Sequence, residues 1–353
     1  MERCLELASK GLGSVAPNPM VGCVIVHGDR IIGEGYHRVY GEAHAEVNAI
    51  ASVKDPGLLS GSTLYVNLEP CSHQGKTPAC SRLILDRKIP RVVIGKADPN
   101  PVVAGKGLRM LKEGGTEVRT GVMEKECLEL NKRFFTWHRE KRPWVLLKWA
   151  RTRDGFIDRL RPTENPDGVS WITGPPARQW VHKWRSEEQA ILVGTRTALL
   201  DDPQLTVRHW QGRNPLRLVI DRKGTLPGHL KLFDGIAETL VFTSEPGKVY
   251  ENAGCIQIPG STDYLPAILG YLYEHEIQSL LVEGGAALLN SFIRSGLWDE
   301  ARVFTGNAYF GQGIPSPVLP SVPVHRITTG DDLLEIYSKM PRSHATKRGE
   351  FKS

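Results

Sequence analysis

Ser62-Thr63-Leu64-Tyr65-Val66-Asn67-Leu68-Glu69-Pro70-Cys71 decides the reading of the N-terminal half, together with Gly41-Glu42-Ala43-His44-Ala45-Glu46 before it and Cys80 nine residues after it. An alternating apolar run ending in Leu68 reads as a strand that delivers Cys71 at its end. His44, Cys71 and Cys80 supply one imidazole and two thiolates, and Glu46 adds a carboxylate that need not touch the ion. A structural zinc site closes with four protein ligands, whereas a catalytic one keeps three and leaves the fourth position to water. Zinc lowers the pKa of such a water to about 7. A carboxylate beside it can take that proton and pass it to a leaving amine, the division of labour in zinc deaminases. A closed structural site using Cys4, Cys23 or His73 as fourth ligand is the competing possibility, and it gives Glu46 no task. Pro70 suits the first turn of a helix, which would place Cys71 at a helix N-terminus where a thiolate is stabilised.

Working outward, Glu2 to Lys10 reads as a helix, Val21 to Val26 and Ile31 to Tyr36 as strands around a His27-Gly28-Asp29 turn, and His44 as the opening of a helix to about Ala51. A helix at Ser81 to Arg87 and a buried strand at Arg91 to Gly95 follow. Alternating elements of this kind predict an α/β layered domain with a mixed sheet. Cys127 to Arg139 reads as one helix, and Lys141-Arg142-Pro143 as a boundary before a new strand, Trp144 to Ala150. At 353 residues the chain exceeds the span of one hydrophobic core, so two domains, 1–142 and 143–353, are expected.

In the second half, Ala190 to Gly194, Leu216 to Ile220, Thr239 to Thr243 and Ser279 to Glu283 read as strands separated by helices, a mostly parallel sheet. No G-x-G-x-x-G follows the first of them, which disfavours a standard dinucleotide fold. Val282-Glu283-Gly284-Gly285 ends a strand and leads into a helix from Ala286 to Arg294. Two glycines there let backbone approach a ligand, with helix N–H groups facing a phosphate.

Composition bounds the function. Lys and Arg number 45 against 39 Asp and Glu, a formal net charge of +6, but the basic residues are dispersed and aromatics make up only 7%. That pattern argues against nucleic acid and suits an enzyme handling phosphorylated ligands. No apolar run reaches a membrane span, and the charged start Met1-Glu2-Arg3-Cys4-Leu5-Glu6-Leu7 does not read as a signal peptide. Six cysteines, two of them assigned to metal, suit a reducing compartment, so a cytoplasmic location is expected.

Pro17-Asn18-Pro19-Met20-Val21-Gly22, the His44 segment, Leu68 to Pro78 and Asp98-Pro99-Asn100-Pro101-Val102-Val103-Ala104-Gly105-Lys106-Gly107 resemble the RibD family of bifunctional riboflavin-biosynthesis proteins, which fuse a pyrimidine deaminase to a pyrimidine reductase. The resemblance continues through Ser170-Trp171-Ile172-Thr173 and Asp201-Asp202-Pro203-Gln204-Leu205-Thr206-Val207-Arg208. It implies a cytidine-deaminase-like α/β/α domain followed by a dihydrofolate-reductase-like α/β domain, with zinc and NADPH as cofactors. It implies a phosphorylated pyrimidine substrate met by Asn18, His73, Lys76 and Thr77 in the first half and by Trp171, Arg185, Leu205, Arg208 and Glu283 in the second. Cofactor contacts would come from Arg151, Val169, Thr173, Thr197, Asp201, Gly284 and Gly285. Lys148, Asp201 and Glu283 are the candidates for assisting proton movement beside Glu46 of the deaminase. The chain departs from the family pattern at Arg151-Thr152-Arg153 and at Gly306-Asn307-Ala308-Tyr309-Phe310-Gly311. A homo-oligomer is expected for a fused metabolic enzyme of this size. The functional alternatives are a nucleoside or tRNA deaminase with a nucleic-acid-binding appendage, and a zinc-stabilised module without catalysis.

Overall fold

The computed structural model describes residues 1–72, 79–100, 104–161, 170–260 and 263–339. The chain divides into two compact units, one made of Met1–Trp144 with Ser186–Gln189 and Pro266–Ser279, the other of Val145–Arg185, Ala190–Leu265 and Leu280 onward.

The first unit runs α1 (Glu2–Ser9), β1 (Gly22–His27), β2 (Arg30–Tyr36), α2 (Ala45–Ala51), β3 (Thr63–Leu68), α3 (Cys80–Asp86), β4 (Arg91–Lys96), α4 (Lys106–Glu113), β5 (Glu117–Thr120), α5 (Glu124–Leu130) and α6 (Lys132–Glu140). Its sheet has the order β2-β1-β3-β4-β5; β1 is antiparallel to both neighbours, while β3, β4 and β5 run parallel. The mixed sheet expected from the sequence is thus present. Ile25, Leu64, Val66, Ile84, Val92, Ile94 and Leu111 form its core between sheet and helices.

Two glycines of β2 set the position of α2. A Cβ at Gly35 would lie 2.3 Å from the backbone nitrogen of Ala49, and one at Gly33 would lie 2.6 Å from the Ala49 carbonyl oxygen. Only bare backbone lets this helix settle so close to the sheet, and His44 and Glu46 travel with it.

Two expectations need correction. Residues 69–72 are not helical, because the Glu69 N–H pairs with Lys96 O at 2.9 Å and carries the sheet pairing one residue beyond Leu68. The 127–139 helix is broken at Asn131, whose side chain accepts from the Met20 N–H at 2.8 Å and donates to Met20 O at 2.9 Å. Its φ of −101° and ψ of +23° end α5 and begin α6.

The remaining elements are β6 (Trp144–Arg151), β7 (Phe156–Asp158), α7 (Pro175–Glu187), β8 (Ala190–Gly194), α8 (Thr195–Asp201), β9 (Leu216–Ile220), β10 (Thr239–Thr243), β11 (Gly254–Gln257), α9 (Tyr264–Glu274), β12 (Ser279–Val282), α10 (Ala286–Ser295), β13 (Glu300–Thr305), β14 (Ile314–Pro315), β15 (His325–Thr329) and β16 (Asp332–Ser338); they make up the second unit except for α9, which from Pro266 on belongs to the first, and a few end residues of β6, α7 and β12. Nine strands form one sheet in the order β11-β10-β9-β8-β12-β6-β13-β16-β15. Neighbours from β11 to β12 run parallel, as do β6 and β13, and the β13-β16-β15 end is antiparallel. Ile191, Val193, Val219, Val241, Leu281 and Phe304 face α7 residues Ala177, Val181 and Trp184 in the core, with Trp184 stacked on Phe304. No helix among the described residues is long and apolar enough to cross a membrane.

Candidate active sites

His44 is the N-cap of α2 and makes no side-chain capping bond, so its ring is available for other partners. It presents Nδ1 to both sulfurs, 3.6 Å from Cys71 Sγ and 3.3 Å from Cys80 Sγ. The three donor atoms all lie within 4.8 Å of one another, the one such cluster among the described residues. A tetrahedral ion with Zn–S near 2.3 Å and Zn–N near 2.0 Å would hold nitrogen and sulfur about 3.5 Å apart. The observed separations bracket that edge, so the donor set fits zinc through Nδ1.

Cys71 arrives from β3 and Cys80 opens α3. Bonding to Cys80 and His44 pulls the Cys71 thiol well below its ordinary value, while pairing with Cys71 and burial push Cys80 up. Two sulfurs held this close ionise together only around a cation, which is the electrostatic signature of a metal-binding pair. The bond to Cys71 is also the largest influence on His44, whose imidazole is raised.

Glu46 is buried in the first turn of α2, and burial followed by the charge of Cys71 raises its carboxyl to about 7. Its field also acts on the Cys80 thiol, so the carboxyl stands at the edge of the donor cluster with a pKa suited to proton transfer near neutrality. Cys4 and Cys23, the candidate fourth ligands, lie in α1 and β1 outside the cluster; His73 lies outside the described residues, as do Lys76, Thr77 and Val169.

Asn18 is fixed by His37, with 3.0 Å between Asn18 Nδ2 and His37 Nε2; His37 Nδ1 is 3.1 Å from Ala43 O. If Nδ1 donates to that carbonyl, Nε2 accepts from the amide and leaves Asn18 Oδ1 to other partners. The His37 and His44 rings meet edge to face at 5.6 Å. Sequence reasoning assigned no role to His37, since a lone histidine on a strand end carries no pattern. Glu69 was also passed over. Its buried carboxylate accepts the N–H groups of Asp98, Gly105, Gly107 and Leu108 at 3.1–3.2 Å, tying the end of β3 to the start of α4.

In the second unit Glu283, at the end of β12, is gripped by Arg185 of α7 through two parallel bonds, Nε to Oε1 at 2.8 Å and Nη2 to Oε2 at 2.9 Å. Lys148 Nζ of β6 lies 3.7 Å from Glu283 Oε2. Burial alone would raise the Glu283 carboxyl, yet the charges of Arg185 and Lys148 outweigh it and hold the group at about 2. Burial lowers Lys148, with Glu283 opposing and Arg185 adding to the shift. Arg185 Nη1 also donates to Thr206 O at 3.1 Å, beside Leu205, which is buried with φ +55°. The Arg208 N–H donates to His182 Nδ1 at 3.1 Å, and its exposed guanidinium bonds Gln204 Oε1 at 3.0 Å and Thr206 Oγ1 at 3.1 Å. Lys148, Arg185, Leu205, Arg208 and Glu283 are therefore drawn into one linked polar group.

The other candidates have engagements of their own. Thr197 Oγ1 accepts from the Gly285 N–H at 2.9 Å, pinning the glycine turn to α8. Side-chain room at both Gly284 and Gly285 is taken up by Leu288 and by Thr197 Oγ1. Trp171 is exposed with the Arg178 guanidinium 4.6 Å over its ring, and Thr173 is half-buried in the same segment. Asp201 is bonded by Arg161 at 2.6 Å, and Arg161 also reaches Asp158. Arg151 is engaged by Glu335 at 2.7 Å and by Thr305 Oγ1 at 3.0 Å. The two departures from the family pattern meet each other: Gly306 N–H donates to Arg151 O, Arg153 N–H to Ala308 O, and Asp154 accepts from the Phe310 and Gly311 N–H groups.

Comparison with known proteins covers both halves of the chain. Residues 1–96 match the cytidine and deoxycytidylate deaminase zinc-binding region, and residues 143–327 match the RibD C-terminal domain. The latter match sets aside the alternative of a nucleic-acid-binding appendage. The riboflavin biosynthesis protein RibD of Bacillus amyloliquefaciens is 42% identical, over 91% of this chain and 87% of that protein. RibD of Escherichia coli K12 is 37% identical over 88% of each chain. The solved structure of a diaminohydroxyphosphoribosylaminopyrimidine deaminase/5-amino-6-(5-phosphoribosylamino)uracil reductase from Thermotoga maritima superposes with a TM-score of 0.85 at 41% identity, covering 95% of this chain and 96% of that one. Acinetobacter baumannii RibD gives 0.84 at 32% identity, covering the same shares. Similarity of this extent across both halves, joined to a zinc-fitting cluster with its buried carboxyl, means that the chain belongs to the RibD family of bifunctional riboflavin-biosynthesis enzymes, a zinc-binding deaminase followed by a reductase.

Proposed function

We propose that the first unit deaminates 2,5-diamino-6-ribosylamino-4(3H)-pyrimidinone 5′-phosphate and that the second reduces the ribosyl chain of the product with NADPH. The convergence of His44, Cys71 and Cys80 beside buried Glu46 carries this reading. When bound, zinc supplies the Lewis acidity that makes water a nucleophile at neutral pH. Glu46 receives the proton of that water on its carboxylate and delivers it to the exocyclic nitrogen, which leaves as ammonia. Asn18, held by His37, presents its amide to the pyrimidine, and His73 and Lys76 meet the ring and its phosphate.

In the second unit NADPH, when bound, supplies hydride for C1′ of the ribosyl chain. The Arg185 clamp keeps Glu283 ionised and aligned toward the ribose hydroxyls, Lys148 is the nearest proton donor, and Arg208 with Leu205 and Trp171 lines the phosphate side. By family likeness Thr197, through the Gly284-Gly285 turn, together with Thr173, Val169, Asp201 and Arg151, would hold the cofactor. Six free cysteines are in keeping with a cytoplasmic, reducing setting, and a homo-oligomer is the working assembly.

The test is an incubation of the zinc-loaded protein with the diaminopyrimidine phosphate, with and without NADPH, following ammonia and the nicotinamide absorbance. Ammonia in both samples, with nicotinamide oxidation only after deamination, supports the proposal. Zinc-loaded protein that releases no ammonia rejects it.

A further inference from the structure

Arg217 interrupts the apolar strand Leu216–Ile220 and is 0% exposed, on the same face of the sheet as the core residue Val219. Removing a guanidinium from water costs several kcal/mol unless every donor is matched, and an apolar side chain of similar length would fill the space without that cost. Here all three guanidinium nitrogens have acceptors: Nε bonds Thr239 Oγ1 at 2.9 Å, Nη2 Ala237 O at 2.7 Å, and Nη1 Asp234 Oδ1 at 2.9 Å, Lys231 O at 3.1 Å and Gln204 O at 3.3 Å. The last contact leads to the Asp202–Arg208 loop.

From there the bonds continue to the surface. Gln204 Nε2 donates to Asp234 Oδ2 at 3.3 Å, and Gln204 Oε1 accepts from Arg208 Nη1 at 3.0 Å. Asp202 is tied to Lys231 by the backbone N–H at 2.8 Å and by Nζ at 3.1 Å. The loop carries two non-glycine residues with positive φ, Asp202 at +38° and Leu205 at +55°. Such conformations persist only where the surroundings over-determine them. The bonds from Arg217, Asp234 and Lys231 supply that determination.

We infer that Arg217, through Asp234 and Gln204, is a positioning residue that sets the Arg208 guanidinium for the phosphate-bearing pyrimidine of the reductase. The inference rests on the proposed role of Arg208 as a substrate contact. Because the same chain carries a deaminase, integrity of the rest of the protein can be read in the same tube.

The experiment compares full-length zinc-loaded wild type with Gln204→Ala, Arg217→Lys, Arg217→Met and Arg208→Ala. Readouts are KM and kcat for 5-amino-6-(5-phosphoribosylamino)uracil, KM for NADPH, and the deaminase rate. Loss of one charge-assisted contact predicts a KM for the pyrimidine phosphate raised about tenfold in Gln204→Ala and Arg217→Met, with NADPH KM and deaminase rate unchanged. Arg217→Lys, which retains a charge for Asp234, recovers part of the loss. Should Arg217→Met fail to fold, Gln204→Ala and Arg217→Lys still decide the matter. Arg208→Ala raising KM while Gln204→Ala and Arg217→Lys leave it at the wild-type value overturns the positioning role alone. An unchanged KM in Arg208→Ala overturns the substrate reading beneath it and the inference with it. A fall in kcat with both KM values altered together marks Arg217 as merely structural and also overturns the inference.

Discussion

The backbone N–H of Cys80 points at the Sγ of Cys71 across 3.3 Å, so the first residue of α3 stabilises a sulfur in the segment that follows β3. The two thiols are thus coupled through backbone, and both would hold the same ion. Cys71→Ala is expected to abolish zinc retention and deamination together, while reduction of the deaminated substrate proceeds at the wild-type rate. Metal content after gel filtration and separate assays of the two steps check this. Zinc retained at full occupancy in the variant contradicts the ligand assignment.

Gly35 tests how the sheet places the deaminase helix. A methyl group there meets Ala49 backbone, which cannot give way as a side-chain tip can. Gly35→Ala is expected to destabilise the first unit by about 1–3 kcal/mol and to lower the deamination rate by displacing His44 and Glu46. Urea unfolding and ammonia release measure both effects, and the reductase rate should not move.

Glu283→Gln leaves Arg185 and Lys148 facing a neutral amide in a buried site. Removing one partner of a buried pair costs about 3–5 kcal/mol. Since Arg185 keeps its bond to Thr206 O, the lower end is expected, together with loss of reduction and retention of deamination. In the wild type the carboxyl is held at about 2 against about 4.3 when unfolded. Its contribution is therefore complete above about pH 4.3 and lost on acidification toward pH 2. Unfolding midpoints across that range should converge for variant and wild type.

His182 governs a milder window. Burial first, then the charges of Arg185 and Arg208, lower its imidazole to about 4, and its Nδ1 accepts the Arg208 N–H. The unfolded chain takes up a proton near pH 6.5 that the folded chain refuses until about pH 4. The His182 contribution should fall as pH drops between those values and level off below. His182→Asn is expected to flatten that slope; an unaltered slope in thermal unfolding against pH would show that another group titrates.

Much of this architecture was legible in the chain. The strands at Gly22, Arg30, Thr63 and Arg91 and the helix after His44 follow from alternating or helical periodicity, since each has one face on the core. The donor set was legible because metal ligation restricts residue type. The Asn131 break was hidden, because it depends on a side chain bonding Met20 far away in sequence. The nonhelical course after Glu69 was hidden for the same reason, being set by the bond of the Glu69 N–H to Lys96 O on a neighbouring strand. In the second unit, Lys148, Arg185 and Glu283 were found by family pattern alone. Arg217 gave no signal, since a charge within L-R-L-V-I reads as solvated until the strands on either side are known.

The central claim is that Glu46 moves the proton at an ion held by His44, Cys71 and Cys80. Ammonia release by Glu46→Gln, measured with zinc content and the reductase rate in the same preparation, tests it most directly. The account predicts bound zinc, an unchanged reductase and deamination reduced by about 10²–10⁴-fold. Deamination at the wild-type rate in the zinc-loaded variant would contradict it.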